Sequence, residues 1–139
     1  MEAERILALK IIKLLLKITQ VNLFNEHCTN FFARVLKMAE IHQTSILICL
    51  TYIQRIFHSS YGDDGVSLST ESICKVFVIS LIVAQKFNSD TTRLNELWAK
   101  ELYPWVELEE VSRMERQFLI LLDYKLMVSE RDLVTLELI

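Results

Sequence analysis

Residues 70–87 read TESICKVFVISLIVAQKF, and apolar side chains fill most positions from Ile73 to Ala84. A helix that is apolar nearly all round is typical of a protein core and not of a surface. Ser69, directly before this segment, can cap the helix, and Glu71 lies near the positive end of the helix dipole. The segment therefore predicts a helix at the centre of the domain.

Residues 41–58 predict a second largely buried helix, because their apolar positions are too dense for a surface helix. Residues 58–69 between the two segments form a polar loop that holds both glycines of the chain. With two glycines and one proline in 139 residues, turn formers are too few for an all-β fold. We expect one all-α domain. Before residues 41–58, apolar residues at helical spacing indicate another helix, namely Phe31, Phe32, Val35 and Met38.

The N-terminal segment is amphipathic, with lysines opposite an apolar stripe. Two interpretations are open: a helix packed on the domain, which we favour, or a helix that lies on a membrane surface. Glu2 and Glu4 occupy the place where a signal peptide is basic, and lysines interrupt the apolar run, so we expect neither a signal peptide nor a membrane span. The stripe comprises Leu7, Ile11, Leu14, Leu15 and Ile18, and the polar face Lys10, Lys13, Lys17 and Gln20.

Three more helices are expected towards the C-terminus. Residues 93–102 predict a short helix that ends before Pro104 and holds Trp98 as a core anchor beside Leu94, Leu97 and Leu102. A last helix should follow Ser129, with Asp132 three positions later. Between them Glu107, Glu109 and Glu110 open a long helix, whose expected apolar face is Val111, Met114, Phe118, Leu119, Leu121 and Leu122.

The residues suggest no catalytic chemistry. The glycines, Gly62 and Gly65, do not form a phosphate-binding loop, and neither the Walker nor the GxSxG pattern occurs. Asp63 and Asp64 are more simply explained as a solvated turn. The histidines and cysteines lack the spacing of metal ligands. We therefore expect that the chain is not an enzyme and that it holds neither a cofactor nor a metal. The residues considered as metal ligands were His27, Cys28, His42, Cys49 and His58.

The net charge indicates the class of binding partner, and the cysteines indicate the cellular compartment. The net charge is −3 and no stretch concentrates Lys and Arg, so a protein partner is favoured over nucleic acid. The three cysteines, Cys28, Cys49 and Cys74, are widely spaced among apolar residues, as free thiols are. Free thiols favour a reducing compartment, and we expect the protein to be located in the nucleus, the cytoplasm or both.

Several motifs, in order along the chain, resemble the cyclin box. Residues 52–56, Tyr-Ile-Gln-Arg-Ile, are similar to the family's Tyr-Leu-Asp-Arg-Ile/Phe helix. Residues 84–87, Ala-Gln-Lys-Phe, are similar to its Ala-x-Lys-Phe. Residues 114–119, Met-Glu-Arg-Gln-Phe-Leu, are similar to its x-Glu-x-x-x-Leu helix. Ser89-Asp90 and then residues 95–99, Asn-Glu-Leu-Trp-Ala, resemble the Pho and Pcl type of fungal, phosphate-pathway-like cyclins.

The resemblance implies a five-helix cyclin box over residues 23–127, an N-terminal helix within residues 1–22 and a tail helix within residues 128–139. It also implies a regulatory subunit that binds a cyclin-dependent protein kinase as a heterodimer and positions the kinase's αC helix. Lys86 and Glu115 would hydrogen-bond the kinase backbone ahead of that helix. The surrounding apolar surface would be Val83, Phe87, Leu119 and Leu126.

The sequence departs from the family in three respects. Gln54 stands where the family usually has Asp, which leaves Arg55 and helix packing to hold that corner. Only one box fits, as in the Pho/Pcl type, and no MRAIL-like patch is present.

Two functions are alternatives to a kinase-binding cyclin. One is a transcription-factor-IIB-like cyclin fold that binds DNA and polymerase, and the other is a helical adaptor that binds no kinase. On its own, the Lys86–Glu115 pair would be a surface ion pair worth about 0–1 kcal/mol.

Overall fold

The computed structural model describes residues 2–39, 43–58, 69–88, 95–102 and 106–137, and these ranges contain seven helices and no strand. Residues 59–68, which include both glycines, Asp63 and Asp64, lie outside the described residues, as do His42, Ser89, Asp90, Leu94 and Pro104. The expected all-α fold is confirmed. The helices are α1 (Glu2–Thr19), α2 (Glu26–Ala39), α3 (Gln43–Ile56), α4 (Thr70–Asn88), α5 (Asn95–Leu102), α6 (Leu108–Leu121) and α7 (Glu130–Glu137).

Helices α3 and α4 form the centre of the domain, as their apolar sequences predict. Every residue of α4 from Phe77 to Ala84 is buried, so this helix meets neighbours on all sides. The buried Ser80 hydroxyl donates to the Phe77 carbonyl at 2.8 Å, which satisfies its hydrogen-bonding capacity inside the helix. The pair α1–α2 packs on one flank of this centre and α5–α6 on another, while α7 packs on α3.

Helix α1 packs on the domain, as the amphipathic pattern predicts. Its apolar stripe faces α2 and α3, with Ile11 and Leu15 fully buried, while Lys10 and Lys13 on the other face are exposed. The helix ends at Gln20, whose positive φ of 64° and N–H bond to the Leu16 carbonyl at 2.8 Å form a left-handed C-cap. No helix within the described ranges is long and apolar enough to cross a bilayer.

The predicted helix starts at Ser69 and Ser129 are confirmed. The Ser69 hydroxyl accepts from the Ser72 N–H at 3.1 Å. At α7, the Ser129 hydroxyl accepts from the Asp132 N–H at 3.2 Å, and the Asp132 carboxylate accepts from the Ser129 N–H at 2.9 Å. This reciprocal pair is a capping box, which satisfies two N–H groups that the first turn leaves free.

Two leucines differ from the sequence expectation. Trp98 is buried as predicted, but Leu97 beside it is 42% exposed. On α6 the buried positions Val111, Phe118 and Leu122 follow one stripe, and Leu121 lies beside that stripe with 41% of its surface exposed. Helical periodicity places the core face correctly, but it does not show how far the neighbouring helices extend over the edges of that face.

Candidate functional site

The candidate site is built on a contact between Lys86, in the last turn of α4, and Glu115, in the middle of α6. The Lys86 ammonium donates to both carboxylate oxygens of Glu115 at 2.9 Å each. The Lys86 side chain is 37% exposed and that of Glu115 is 16% exposed. The predicted proximity of these residues is confirmed, and Glu115 is the more deeply set partner.

A third helix contributes Asn95, the first residue of α5. Its side-chain amide donates to Glu115 at 2.9 Å. Its own carbonyl oxygen is buried and has no hydrogen-bond partner among the described residues. The carboxylate of Glu115 therefore ties α4, α5 and α6 together at one point. Sequence reasoning placed Asn95 in a family motif but did not predict this contact, because residue spacing does not show which groups meet across helices.

The apolar residues expected around this pair are exposed to different degrees. Phe87, next to Lys86, is about half exposed, whereas Val83, one turn earlier on α4, is buried in the core. Leu119 and Leu126 are partly buried against the core. Val83 is thus not available to contact a partner directly, and it can only pack beneath the exposed residues.

After α6 the chain turns sharply at Asp123 and Tyr124, which have φ values of 56° and 55°. The Tyr124 N–H donates to the Leu119 carbonyl at 3.0 Å and the Asp123 N–H to the Ile120 carbonyl at 2.9 Å, which together form a Schellman motif. A left-handed conformation is unfavourable for a residue with a Cβ, and especially for a bulky one. The Tyr124 ring is nevertheless 65% exposed, so burial of the ring does not explain this conformation.

Residues 125–128 then follow without regular secondary structure, and two side chains of α3 hold them. The Tyr52 hydroxyl donates to the Leu126 carbonyl at 2.7 Å. The Arg55 guanidinium donates to the carbonyls of Lys125 at 2.8 Å and Met127 at 2.9 Å. Three successive carbonyls are thus bound by residues of the segment that resembles the Tyr-Leu-Asp-Arg motif. This confirms that Arg55 holds the corner where Gln54 replaces the family's Asp.

Arg55 also binds Asp132 in the first turn of α7, with the nitrogen and oxygen 3.2 Å apart. The pKa of the Asp132 carboxyl is lowered, first by the hydrogen bonds from Ser129 and then by the charge of Arg55. The same guanidinium therefore connects α3, residues 125–127 and α7. The position of Leu126 in the candidate site depends on these contacts.

Five exposed apolar residues lie at the C-terminal ends of α4 and α6 and in the segment that follows α6. Phe87, Ile120, Leu121, Tyr124 and Met127 are all large hydrophobic residues with at least 41% of their surface exposed, and Met127 reaches 80%. Sequence reasoning did not single out Ile120, Tyr124 or Met127. Exposed apolar residues mark an interaction surface where they form one continuous patch.

Within the described ranges, no group of three or more His, Cys, Asp or Glu side chains is arranged to hold a metal ion. The arrangement offers one charged pair and an apolar surface, which are features of binding. The described residues bring no nucleophile, base and orienting group together at this surface.

Known proteins are similar in sequence to most of this chain. The family model described as Cyclin matches residues 16–126. PHO85 cyclin-1 of Saccharomyces cerevisiae is 30% identical over 104 residues, which cover 75% of this chain and 37% of the relative. PHO85 cyclin-2 of the same yeast is 26% identical over 107 residues, covering 77% of this chain and 34% of the relative. The chain thus spans about a third of the length of these relatives. No solved structure matches it.

Proposed function

Because the chain belongs to the cyclin family, we propose that it is a regulatory subunit that binds and activates a cyclin-dependent protein kinase. The observation that carries the proposal is the Lys86–Glu115 pair, which links α4 to α6 close to exposed Phe87. The two yeast relatives are themselves named as cyclins of PHO85. We expect the partner to be a kinase of the corresponding type.

The charged pair supplies directional contacts. An ammonium group donates hydrogen bonds and a carboxylate accepts them, so the two can bind a main-chain carbonyl and a main-chain N–H of one partner segment. Asn95 and Lys86 hold the carboxylate from two sides, which restricts its rotation before the partner arrives. Less conformational entropy is then lost on binding.

The apolar residues supply most of the binding energy. Phe87, Leu119 and Leu126 would contact the kinase's αC helix, with Val83 beneath them. We add Tyr124 and Met127, because both are exposed and the α3 contacts fix the backbone beside them. Aromatic side chains near the centre of an interface often dominate its energy. A bulky residue held in a left-handed conformation is also more common at functional sites than elsewhere.

The proposed mechanism uses this geometry. A kinase alone leaves its αC helix displaced, and a rigid apolar surface can pack that helix inward until the catalytic Lys–Glu pair of the kinase forms. The cyclin chain contributes binding energy and positions the helix. The kinase carries out the phosphoryl transfer.

The experiment is reconstitution from purified components. Protein kinases that co-purify with the tagged chain are identified by mass spectrometry, and the candidate kinase is purified alone and mixed with the chain. We expect a heterodimer of equal stoichiometry and a rise in phosphate transfer to a peptide substrate when the chain is added. A complex without increased activity would contradict activation, and recovery of no kinase would favour the adaptor alternative.

The nucleic-acid alternative is tested with the same preparation. A gel shift with duplex DNA at low salt would detect binding of the transcription-factor-IIB type, because phosphate contacts dominate such binding and are strongest at low salt. We expect no shift, given the net charge of −3.

A further inference from the structure

A cavity of about 390 Å³ lies between the N-terminal parts of α2 and α4, away from the Lys86 end of α4. Two cysteines line it: Cys28 of α2, which is buried, and Cys74 of α4, which is half-buried. Both are free thiols. The function proposed above uses neither of them.

The packing of α2 on α4 brings these thiols together. The rings of Phe32 and Phe77 meet edge to face with their centroids 4.9 Å apart, which fixes the two helices against each other. Cys28 lies four positions before Phe32 and Cys74 three positions before Phe77, so each thiol occupies the preceding turn on the same face of its helix. Both thiols therefore border the same cavity, close enough for Cys28 to raise the pKa of Cys74.

We propose that Cys28 and Cys74 form a reversible disulfide that links α2 to α4 when the protein meets a peroxide. Cys74 reacts first because it is the more exposed of the two, and the cavity gives a small oxidant access to it. Its thiolate attacks one oxygen of hydrogen peroxide, which forms a sulfenic acid and releases hydroxide. The Cys28 sulfur then attacks the Cys74 sulfur and water leaves. Two thiols and one peroxide thus give one disulfide and two waters.

The surroundings make this reaction slow at neutral pH. Burial raises the pKa of the Cys74 thiol to about 12, with further increases from Cys28 and the charge of Glu71. Lys75 also borders the cavity, but its ammonium is paired with Glu110 at 3.0 Å and with Glu71 at 3.4 Å. His27 lies on the α2 side. Since the thiolate is the nucleophile, the rate should increase as the pH rises.

The test uses the full chain, treated with hydrogen peroxide at several pH values above neutral and then digested without reduction. We expect the intact mass to fall by two hydrogen atoms and a peptide pair joined through Cys28 and Cys74 to appear. A thiol reductant should remove the link. The oxidised protein should melt at a higher temperature, because the cross-link restricts the unfolded chain.

Cys49 offers the matched control. It is buried on α3 and does not line the cavity; burial raises the pKa of its thiol to about 12, and the Ser80 side chain opposes part of that rise. Cys49→Ala should keep the cross-link, whereas Cys28→Ala and Cys74→Ala should each abolish it. Circular dichroism of every variant checks that it is folded. A cross-link through Cys49, or oxidation of Cys74 to the sulfinic acid without any link in the folded wild type, would overturn the proposal.

Discussion

Lys86 and Glu115 form a bidentate ion pair with both distances at 2.9 Å, although 29 positions separate them in the sequence. The contact joins the end of α4 to the middle of α6, and Asn95 of α5 binds the same carboxylate. Because this ion pair is partly exposed, we expect it to contribute more to binding of the kinase than to the stability of the free protein. The two contributions can be measured separately.

We predict that Lys86→Ala changes the free energy of unfolding by less than about 1 kcal/mol, as for other exposed ion pairs. It should weaken the kinase complex by roughly 2 kcal/mol or more, as a central hot spot does. Glu115→Ala should destabilise the free protein more, because it leaves the Asn95 amide without its acceptor. Binding should suffer little more in the double variant than in either single one.

The control for this prediction is the exposed pair of Arg5 and Glu26, which are 3.2 Å apart on α1 and α2. Glu26→Ala should leave kinase affinity unchanged. Chemical denaturation and calorimetric titration with the kinase provide the two measurements. If Lys86→Ala melts the protein but keeps full affinity, the pair is structural and the proposed binding face is wrong.

Tyr124→Gly should raise the stability of the free protein and lower its affinity for the kinase. Relief of the left-handed conformation should stabilise the free protein by about 1 kcal/mol, since glycine adopts it without steric cost. Loss of the exposed ring should weaken the kinase complex. Asp123→Gly is the matched control, because it relieves the neighbouring left-handed residue and leaves the ring in place. Equal kinase affinity for both variants would exclude the ring from the interface.

Trp98→Ala should cost roughly 3–5 kcal/mol, the usual range for truncation of a buried aromatic residue. Trp98 is only 1% exposed, whereas its neighbour Leu97 is 42% exposed. Leu97→Ala should therefore cost less than about 1 kcal/mol. Urea denaturation of both variants provides the comparison. Similar losses for the two would mean that α5 is rotated relative to the structure described here.

Helix α1 should contribute to stability through its buried face. Leu15→Ala should cost about 2–5 kcal/mol, because the side chain is fully buried against α2 and α3. Lys13→Ala, on the exposed face of the same helix, should change stability by no more than about 0.5 kcal/mol. Deletion of residues 1–20 should lower the melting temperature. Unchanged melting together with a loss of liposome binding would instead support the membrane interpretation.

The Asp132 carboxylate should make stability depend on pH in the acid range. Its pKa is lower in the folded protein than in the unfolded chain, so its contribution is present above the ordinary aspartate value. That contribution is lost as the pH falls through the folded pKa, below about 4. Asp132→Asn should be less stable than the wild type at pH 7, and the two should converge in strong acid. A constant difference across this range, measured by denaturation, would show that the charge is not responsible.

The sequence by itself determined the helices and their buried faces. Apolar density identified α3 and α4 as the centre, periodicity identified the packed face of α1, and Ser69 and Ser129 marked two helix starts. These are local properties, because helix periodicity and capping depend on residues within a few turns of one another. The binding role expected of Lys86 and Glu115 rests on the resemblance to a family, since their types and spacing alone indicate only a surface ion pair.

Only the tertiary structure decided which groups meet across helices. It placed Asn95 on Glu115, the side chains of Tyr52 and Arg55 on the carbonyls of residues 125–127, and Cys28 and Cys74 at one cavity. It also left Leu97 and Leu121 exposed and Tyr124 in a left-handed conformation. Such contacts depend on how helices cross and how far each extends over its neighbour. Those quantities are set by the packing of the whole core and not by the sequence of any single segment.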